Sequence, residues 1–332
     1  MSVGASVQAA AERLARGELV AFPTETVYGL GADASSAAAV ARIFAAKGRP
    51  ADHPLIVHLA EPAHMAQWAT RLPDIAWALA EACWPGPLTL IVPRAAHVLD
   101  DVTGGQATVG LRVPSHPVAR ELLATFATLG NGPRGVAAPS ANKFGHVSPT
   151  TAAHVREEFG DAMVVLDGGA CEVGIESTII DCTAVDQAGK GRLRVLRPGL
   201  ITADALRAKL DERFHSILPE EQAPERVSMV IPEDLSLPRV SGSLDAHYAP
   251  RTPARLVSQA EFARLQSNPP QDGALLPCNP RDAVAYAHGL YAQLRALDAL
   301  GAREIVIEAP PQGVAWDGVN DRLKRATFRS AS

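Results

Sequence analysis

The chain has 332 residues, 47% hydrophobic and 20% charged, enough apolar material for one large domain or two ordinary domains with buried cores. A formal net charge of −5 excludes a global basic field of the kind that draws a protein to nucleic acid. No apolar run reaches the length of a membrane-spanning helix and no basic-then-apolar leader opens the chain, so it reads as soluble and cytoplasmic, with no membrane partner. Cys83, Cys171, Cys182 and Cys278 form no Cys-x-x-Cys pair, which argues against a zinc site and against a disulfide framework.

In chain order, Val7 to Arg16 repeats apolar residues at helical spacing and stops at Gly17, and Glu18 to Phe22 reads as a short strand. Ser35 or Ser36 caps a helix that carries Val40, Ile43 and Phe44 and stops near Gly48. Pro54 to Leu59 is a strand; Ile75 to Cys83 is a helix broken by Trp84-Pro85-Gly86-Pro87. Strands follow at Leu88 to Val92 and Thr108 to Val113, then a helix at Val118 to Phe126, a strand at Gly135 to Ala138 and a helix from Thr150 to Phe159. Met163 to Leu166, Thr178 to Asp181 and Leu193 to Leu196 complete the strands. Some strands are consecutive, which predicts a mixed sheet in an α/β fold and not a strictly alternating parallel one.

From about His215 to Pro250, prolines at 219, 224, 232, 238 and 250 break every candidate element, so this stretch reads as a long linker. The pattern then restarts: strands at Arg255 to Val257, Ala274 to Pro277 and Glu304 to Glu308, and helices at Ala283 to Leu300 and Val319 to Phe328. That predicts domains at 1–212 and 251–332, joined by a linker at 213–250, the second domain being a small α/β unit.

No Walker-type loop and no G-x-G-x-x-G after a strand is present, so phosphates, if bound, are held by other means. Lys47-Gly48-Arg49-Pro50 leaves a helix end with two cations, which serve either as dipole partners or as an anion clamp. His53 and His58 lie close behind. Thr108 and Arg112 share one face of a strand, where an inward arginine needs a carboxylate or phosphate partner, and an internal salt bridge is the plain alternative. Ala138-Pro139-Ser140-Ala141-Asn142-Lys143 supplies small donors after a strand, and Ser148 offers either a helix cap or a ligand contact. Glu176-Ser177-Thr178 repeats the carboxylate-then-hydroxyl pattern of Thr24-Glu25-Thr26, and Arg197 ends a strand with another cation. Most of these side chains fall at strand ends, where an α/β sheet holds its ligand. No Ser-His-Asp or Cys-His engine stands out, so the set points to anion positioning without covalent catalysis.

Phe22-Pro-Thr-Glu-Thr-Val-Tyr-Gly-Leu-Gly31, Lys47-Gly-Arg-Pro50, Pro54-Leu-Ile-Val-His58, Leu111-Arg-Val-Pro114, Pro139-Ser-Ala-Asn142, Glu176-Ser-Thr-Ile179 and Leu196-Arg-Pro-Gly199 stand in the order and roughly the spacing of the YrdC-type L-threonylcarbamoyladenylate synthases, which residues 6–210 resemble. His247-Tyr-Ala-Pro250 before a small α/β domain resembles the longer, two-domain form. The resemblance implies a YrdC-like twisted mixed sheet with helices around a concave cleft, plus a Rossmann-like C-terminal domain. It also implies a reaction of L-threonine, bicarbonate and ATP, with Mg²⁺, giving threonylcarbamoyl-AMP and pyrophosphate. The product would pass to a downstream tRNA threonylcarbamoyl transfer complex, with no stable nucleic-acid binding by this chain. By the same resemblance Lys47 and Arg49 are catalytic, and Thr26, His58, Arg112, Ala138 and Ser177 take threonine. Arg49, His53, Thr108, Ser140, Asn142, Ser148, Arg197 and Ser241 surround ATP. Glu25 and Glu176 remain open, as metal holders, ammonium partners or acceptors of backbone N–H groups. Two departures stand out: His53 replaces a frequent asparagine, and the linker lacks the basic run before His247. Two alternatives are a non-catalytic RNA-binding module built on the same domain, against which low aromatic content and negative charge argue, and a carbamoyltransferase maturation factor, against which the missing cysteine pairs argue.

Overall fold

A computed structural model describes residues 6–130, 132–186, 190–219, 237–242, 247–279 and 282–328. The larger unit runs α1 (Val7–Ala15), β1 (Val20–Phe22), β2 (Gly29–Asp33), α2 (Ala37–Lys47), β3 (Ile56–His58), α3 (Met65–Trp68), α4 (Asp74–Cys83), β4 (Leu88–Pro93), α5 (Asp100–Thr103), β5 (Thr108–Arg112), α6 (Pro117–Thr128), β6 (Val136–Ala137), α7 (Ala152–Phe159), β7 (Thr178–Asp181), β8 (Arg194–Arg197) and α8 (Ala203–Arg207). Its eight strands form one sheet in the order β1-β2-β6-β3-β5-β4-β7-β8. The pairs β3–β5 and β4–β7 are parallel and the others antiparallel, so the sheet is mixed as the sequence predicts. The smaller unit runs β9 (Ala254–Val257), α9 (Gln259–Ser267), β10 (Gly273–Leu276), α10 (Ala283–Asp298), β11 (Glu304–Glu308) and α11 (Asp317–Ala326), with a parallel sheet ordered β10-β11-β9.

Strand alternation assigns the two faces of the large sheet. Val57, Leu90, Val92, Leu111 and Ile180 point into a core that Ile43 of α2 and Leu79 of α4 also fill. The residues between them, Ile56, Ile91 and Ile179, point the other way and meet Val240 of the interdomain segment. Thr108, Gly110 and Arg112 alternate with Val109 and Leu111, so they belong to that second, concave face.

The caps explain where the site loops begin. Ser36 accepts the Ala39 N–H and starts α2, while Gly48 closes it in the left-handed conformation at φ 63°, turning the chain into Arg49. Thr151, not Ser148, caps α7, which leaves the Ser148 hydroxyl for another partner.

One strand goes unannounced in the sequence and two expectations are corrected. Residues 29–33 carry no strand pattern, yet they form β2. A Cβ on Gly31 would stand 2.8 Å from Val136 and 2.9 Å from Phe22, so the glycine that hides the strand is what lets it pack. Met163–Leu166 makes no strand; Val165 forms a single parallel bridge with Ala21. The stretch read as an unstructured linker opens with a short 3₁₀ helix at Glu212–Ile217, while positions 220–236 and 243–246 lie outside the described residues.

The two units share one apolar cluster. Val27, Val147 and Ile175 of the larger unit pack with Leu290 and Tyr291 of α10 and Val319 and Leu323 of α11. That contact sets the small unit against the loops that carry Glu176 and Arg197.

Candidate active site

A cavity of about 40 Å³ opens on the concave face. From the larger unit it is lined by Thr24, Thr26, His58, Arg112, Ala138, Ser140, Glu176 and Arg197. Ser241, His247 and Tyr248 of the interdomain segment close it from the other side. A neighbouring cavity of about 10 Å³, which also touches Ile56 and Ser241, is lined by Thr108, Arg239 and Val240.

The opening loop is pinned by Thr24, whose hydroxyl donates to the Val27 carbonyl at 2.6 Å and accepts from the backbone N–H groups of Thr26 and Val27. This turn sets Thr26 Oγ1 2.8 Å from Arg112 Nη2. Arg112, at the end of β5, also donates to Glu25 Oε1 at 2.6 Å, so the internal salt bridge weighed from the sequence exists. Glu25 accepts the Ser115 N–H with its other oxygen and serves as a brace for Arg112. His58 ends β3 fully enclosed; burial, with Arg112 beside it, pushes its imidazole down to about 3, so it is neutral at pH 7.

Arg197 lines the cavity, and Arg49 lies just outside its wall, behind Ser241. Both are buried, Arg49 at 7% and Arg197 at 4% exposure, and neither has a carboxylate within ion-pair distance among the described residues. Arg49 donates to the Pro54 carbonyl at 3.1 Å and sits 3.5 Å from Ser241 Oγ. Arg197 donates to the Ser177 carbonyl and hydroxyl at 3.1 and 3.0 Å and to the Ser241 carbonyl at 2.8 Å. Burial lowers Arg49 to about 10, which leaves it charged at neutral pH. The interdomain segment thus places a hydroxyl and a carbonyl where two guanidinium groups converge. Gly242 follows at φ 82°, and a Cβ there would meet the Tyr248 hydroxyl at 2.1 Å, so only glycine seats the segment this closely.

Other predicted residues lie behind or beside the cavity. Lys47 does not line it; its ammonium donates to the carbonyls of Ser140 and Asn142, 2.5 Å each, and fastens the loop after β6 to the end of α2. Burial, with Arg49 nearby, lowers its pKa well below the usual lysine range. Asn142 Nδ2 donates to the Lys143 and His146 carbonyls and shapes the same loop. Ser148 donates to Glu176 Oε1 at 2.6 Å, and Ser177 Oγ pairs with Thr89 Oγ1 at 2.8 Å. His53 sits half-buried outside the cavity wall, edge-on to Phe144, and burial lowers its pKa.

Five buried polar atoms around this site have no partner among the described residues: Arg49 Nε, His58 Nδ1, Arg112 Nε, Asn142 Oδ1 and His247 Nδ1. Buried polar groups are rarely left unpaired, so their concentration here marks a place for ligand or ordered water. Sequence reasoning missed Thr24 and the two C-terminal partners of Glu176, Arg322 and Tyr291. The repeat of Thr24 ahead of Thr26 could have found the first; nothing in the helical patterns around 291 and 322 marks the other two.

Comparison with known proteins gives the family. Residues 12–199 match the Sua5/YciO/YrdC family model, described as "Telomere recombination", and residues 201–327 match the model of the threonylcarbamoyl-AMP synthase C-terminal domain. A threonylcarbamoyl-AMP synthase of Pyrococcus abyssi is 34% identical, with 97% of this chain and 94% of the relative covered. One of Bacillus subtilis is 38% identical, covering 96% and 92%. The crystal structure of P. abyssi Sua5 complexed with L-threonine superposes with a TM-score of 0.78 at 32% identity, covering 97% of this chain and 94% of that one. The chain belongs to the Sua5/YciO/YrdC family, in the two-domain form that carries a threonylcarbamoyl-AMP synthase C-terminal domain.

Proposed function

We propose that the chain is an L-threonylcarbamoyladenylate synthase, which joins L-threonine, bicarbonate and ATP into threonylcarbamoyl-AMP with release of pyrophosphate and water. The observation that carries this reading is the pair of buried guanidiniums, Arg49 and Arg197, neither with a carboxylate within ion-pair distance among the described residues. A buried cation without a counter-ion is costly, and a triphosphate supplies one.

Threonine occupies the end of the cavity built by Thr26, His58, Arg112 and Ala138. Arg112, held in place by Glu25, meets its carboxylate, and neutral His58 offers a hydrogen bond without adding charge. ATP lies toward Arg49, Arg197, Ser140 and Thr108, with Ser241 exchanging its place for phosphate oxygens. The cavity of about 40 Å³ holds a few waters, so Ser241, His247 and Tyr248 shift aside when nucleotide enters. The amine nitrogen of threonine takes up bicarbonate with loss of water to form a carbamate. A carbamate oxygen then displaces pyrophosphate from the α-phosphorus. The protein contributes orientation and neutralisation of charge, which together supply most of the acceleration in such transfers. Lys47, Asn142, Ser148 and Ser177 act by holding the walls, and His53 stands at the rim.

A divalent cation, here Mg²⁺, would arrive on the triphosphate, held chiefly by the phosphate oxygens, since both oxygens of Glu176 already accept from Ser148, Tyr291 and Arg322. Among the described residues no cluster of His, Cys, Asp or Glu could hold one alone, and Glu176 is the carboxylate in the cavity wall. Carried on the nucleotide, it would supply charge neutralisation at the pyrophosphate, alongside Arg49 and Arg197. The product passes to a tRNA-modifying transfer complex in the cytoplasm. Among the described residues no helix is long and apolar enough to cross a membrane. The RNA-binding alternative is not favoured: among the described residues that line the cavity Tyr248 is the one benzene-type ring, short of a stacking platform.

The test is pyrophosphate release from ATP with and without threonine and bicarbonate. Release that needs both supports the reading; ATP turnover indifferent to threonine sinks it.

A further inference from the structure

Glu176 is held from across the domain boundary. Arg322 of α11, wholly buried, donates from Nε to Glu176 Oε2 at 2.7 Å and from Nη2 to the Glu176 carbonyl at 3.2 Å. Its Nη1 donates to the Pro198 carbonyl at 2.9 Å and to Asp321 at 2.7 Å. Tyr291 of α10 donates its hydroxyl to the same Oε2 at 2.9 Å. The other carboxylate oxygen accepts from Ser148. One side chain of the small unit thus bonds the backbone or side chain on either side of the segment from Glu176 to Pro198.

Two glycine positions show how closely the helices press on these loops. A Cβ on Gly318 of α11 would lie 3.1 Å from the backbone of Gly199, and a Cβ on Gly174 would lie 2.4 Å from the Ala287 carbonyl of α10. Both helices therefore brace the short loops that present Glu176 and Arg197 to the cavity.

A plain interdomain tether does not account for this. The apolar cluster around Leu290, Tyr291 and Leu323 already binds the units, and Arg295 joins them again through Glu158 at 2.8 Å and the Val147 carbonyl. A buried ion pair adds little to such an interface, because desolvation offsets its attraction. Its placement on a carboxylate in the cavity wall points to a use for that carboxylate.

We propose that the C-terminal domain completes the active site: Arg322, assisted by Tyr291, is a positioning residue that fixes Glu176, together with the Arg197 loop, against the nucleotide. This rests on the synthase reading above. The charged and titratable groups around Glu176 are Arg322, Arg197, Lys47, His247, Tyr248 and Tyr291. Burial alone would raise the Glu176 carboxyl, but Arg322 and then Arg197 overcome it and hold it at about 2. Without Arg322 that value rises, and Glu176 takes up a proton at a higher pH than before.

The experiment uses the full chain and threonine-dependent pyrophosphate release as a function of pH. It compares the unmodified protein with Arg322→Met, Tyr291→Phe, Glu176→Gln and the double variant Glu176→Gln/Arg322→Met, with unfolding midpoints alongside. Arg322→Met is expected to lower kcat/KM on the order of 10–100-fold, the usual cost of losing a supporting partner, and to shift the acid limb of the profile upward. Tyr291→Phe, which keeps the packed ring, gives a smaller loss in the same direction. In the Glu176→Gln background, Arg322→Met costs less than about twofold more, because it acts through Glu176. A folded Arg322→Met protein with an unmoved rate and profile overturns the proposal, as do fully additive losses. If Arg322→Met does not fold, a Tyr291→Phe protein with the unmodified rate and profile overturns it. An unmodified chain with no threonine-dependent release overturns the synthase reading and this inference together.

Discussion

Arg112 and Glu25, 87 residues apart, meet through a 2.6 Å ion pair in which both side chains are almost fully buried. The pair holds the arginine on the concave face and the Thr24–Thr26 turn against the end of β5. Arg112→Met leaves a buried carboxylate without its cation and is expected to cost about 3–5 kcal/mol of stability. Replacing both partners, Glu25→Met with Arg112→Met, should recover most of that stability and none of the turnover. Denaturant unfolding and pyrophosphate release measured on the same proteins separate the two effects. Recovery of turnover along with stability would show that the pair is only scaffolding.

Arg49 differs because no carboxylate lies within ion-pair distance of it among the described residues. Arg49→Ala should reduce kcat/KM on the order of 10²–10³-fold, by analogy with the loss of one preorganised donor to a transition state. Its unfolding midpoint should hold or rise, since an unpaired buried charge is removed. Arg49→Lys should recover little, because a single ammonium cannot present a planar fork of donors. Full activity in Arg49→Ala removes the phosphate clamp from the mechanism.

The fold was legible wherever period and caps agreed. Ser36 and Gly48 bound α2 as their chemistry predicts, and β3, β4, β5 and β7 fall within a residue or two of the apolar runs that announce them. What the sequence hid was tertiary in origin. Gly29–Asp33 is a strand because Val136 and Phe22 fill the space above its glycines, and no local propensity reports that. The same division holds at the site. Cations at strand ends were visible, and Arg112, Arg197 and His58 do line one cavity. Which of them carries an internal partner was not visible, because Glu25 lies 87 residues from Arg112 and Arg322 lies 146 residues from Glu176.

The buried histidines make stability depend on pH with a definite sign. Burial pushes His58 and His247 down to about 3 in the folded protein, from an ordinary value of 6.5. Between those two values the unfolded chain binds more protons than the folded one, so stability rises with pH there. Their contribution is complete above about 6.5 and is lost progressively as pH falls toward 3. Glu176 adds a second loss at lower pH, between its ordinary value of 4.5 and about 2. The unfolding midpoint should therefore begin to drop on acidification near pH 6.5, well before carboxylates titrate. His58→Gln should flatten that first slope; an unchanged slope in this variant, measured by thermal unfolding over the pH series, removes His58 as its source.

Lys47 decides between two ways a cation can matter. Its ammonium is committed to two backbone carbonyls, those of Ser140 and Asn142, and so ties the loop carrying Ala138 and Ser140 to α2. Lys47→Met leaves both carbonyls buried and unsatisfied, at about 1–3 kcal/mol each. The loop would then relax, and the wall it offers to both substrates would move. The expected result is a lower unfolding midpoint together with a rise in KM for both ATP and threonine. A cation that only touched phosphate would give a different pattern: an intact midpoint, an unchanged KM for threonine and a large fall in kcat. Steady-state kinetics with each substrate varied in turn, beside thermal unfolding, distinguishes them. The second pattern would return Lys47 from the scaffold to the reacting phosphate.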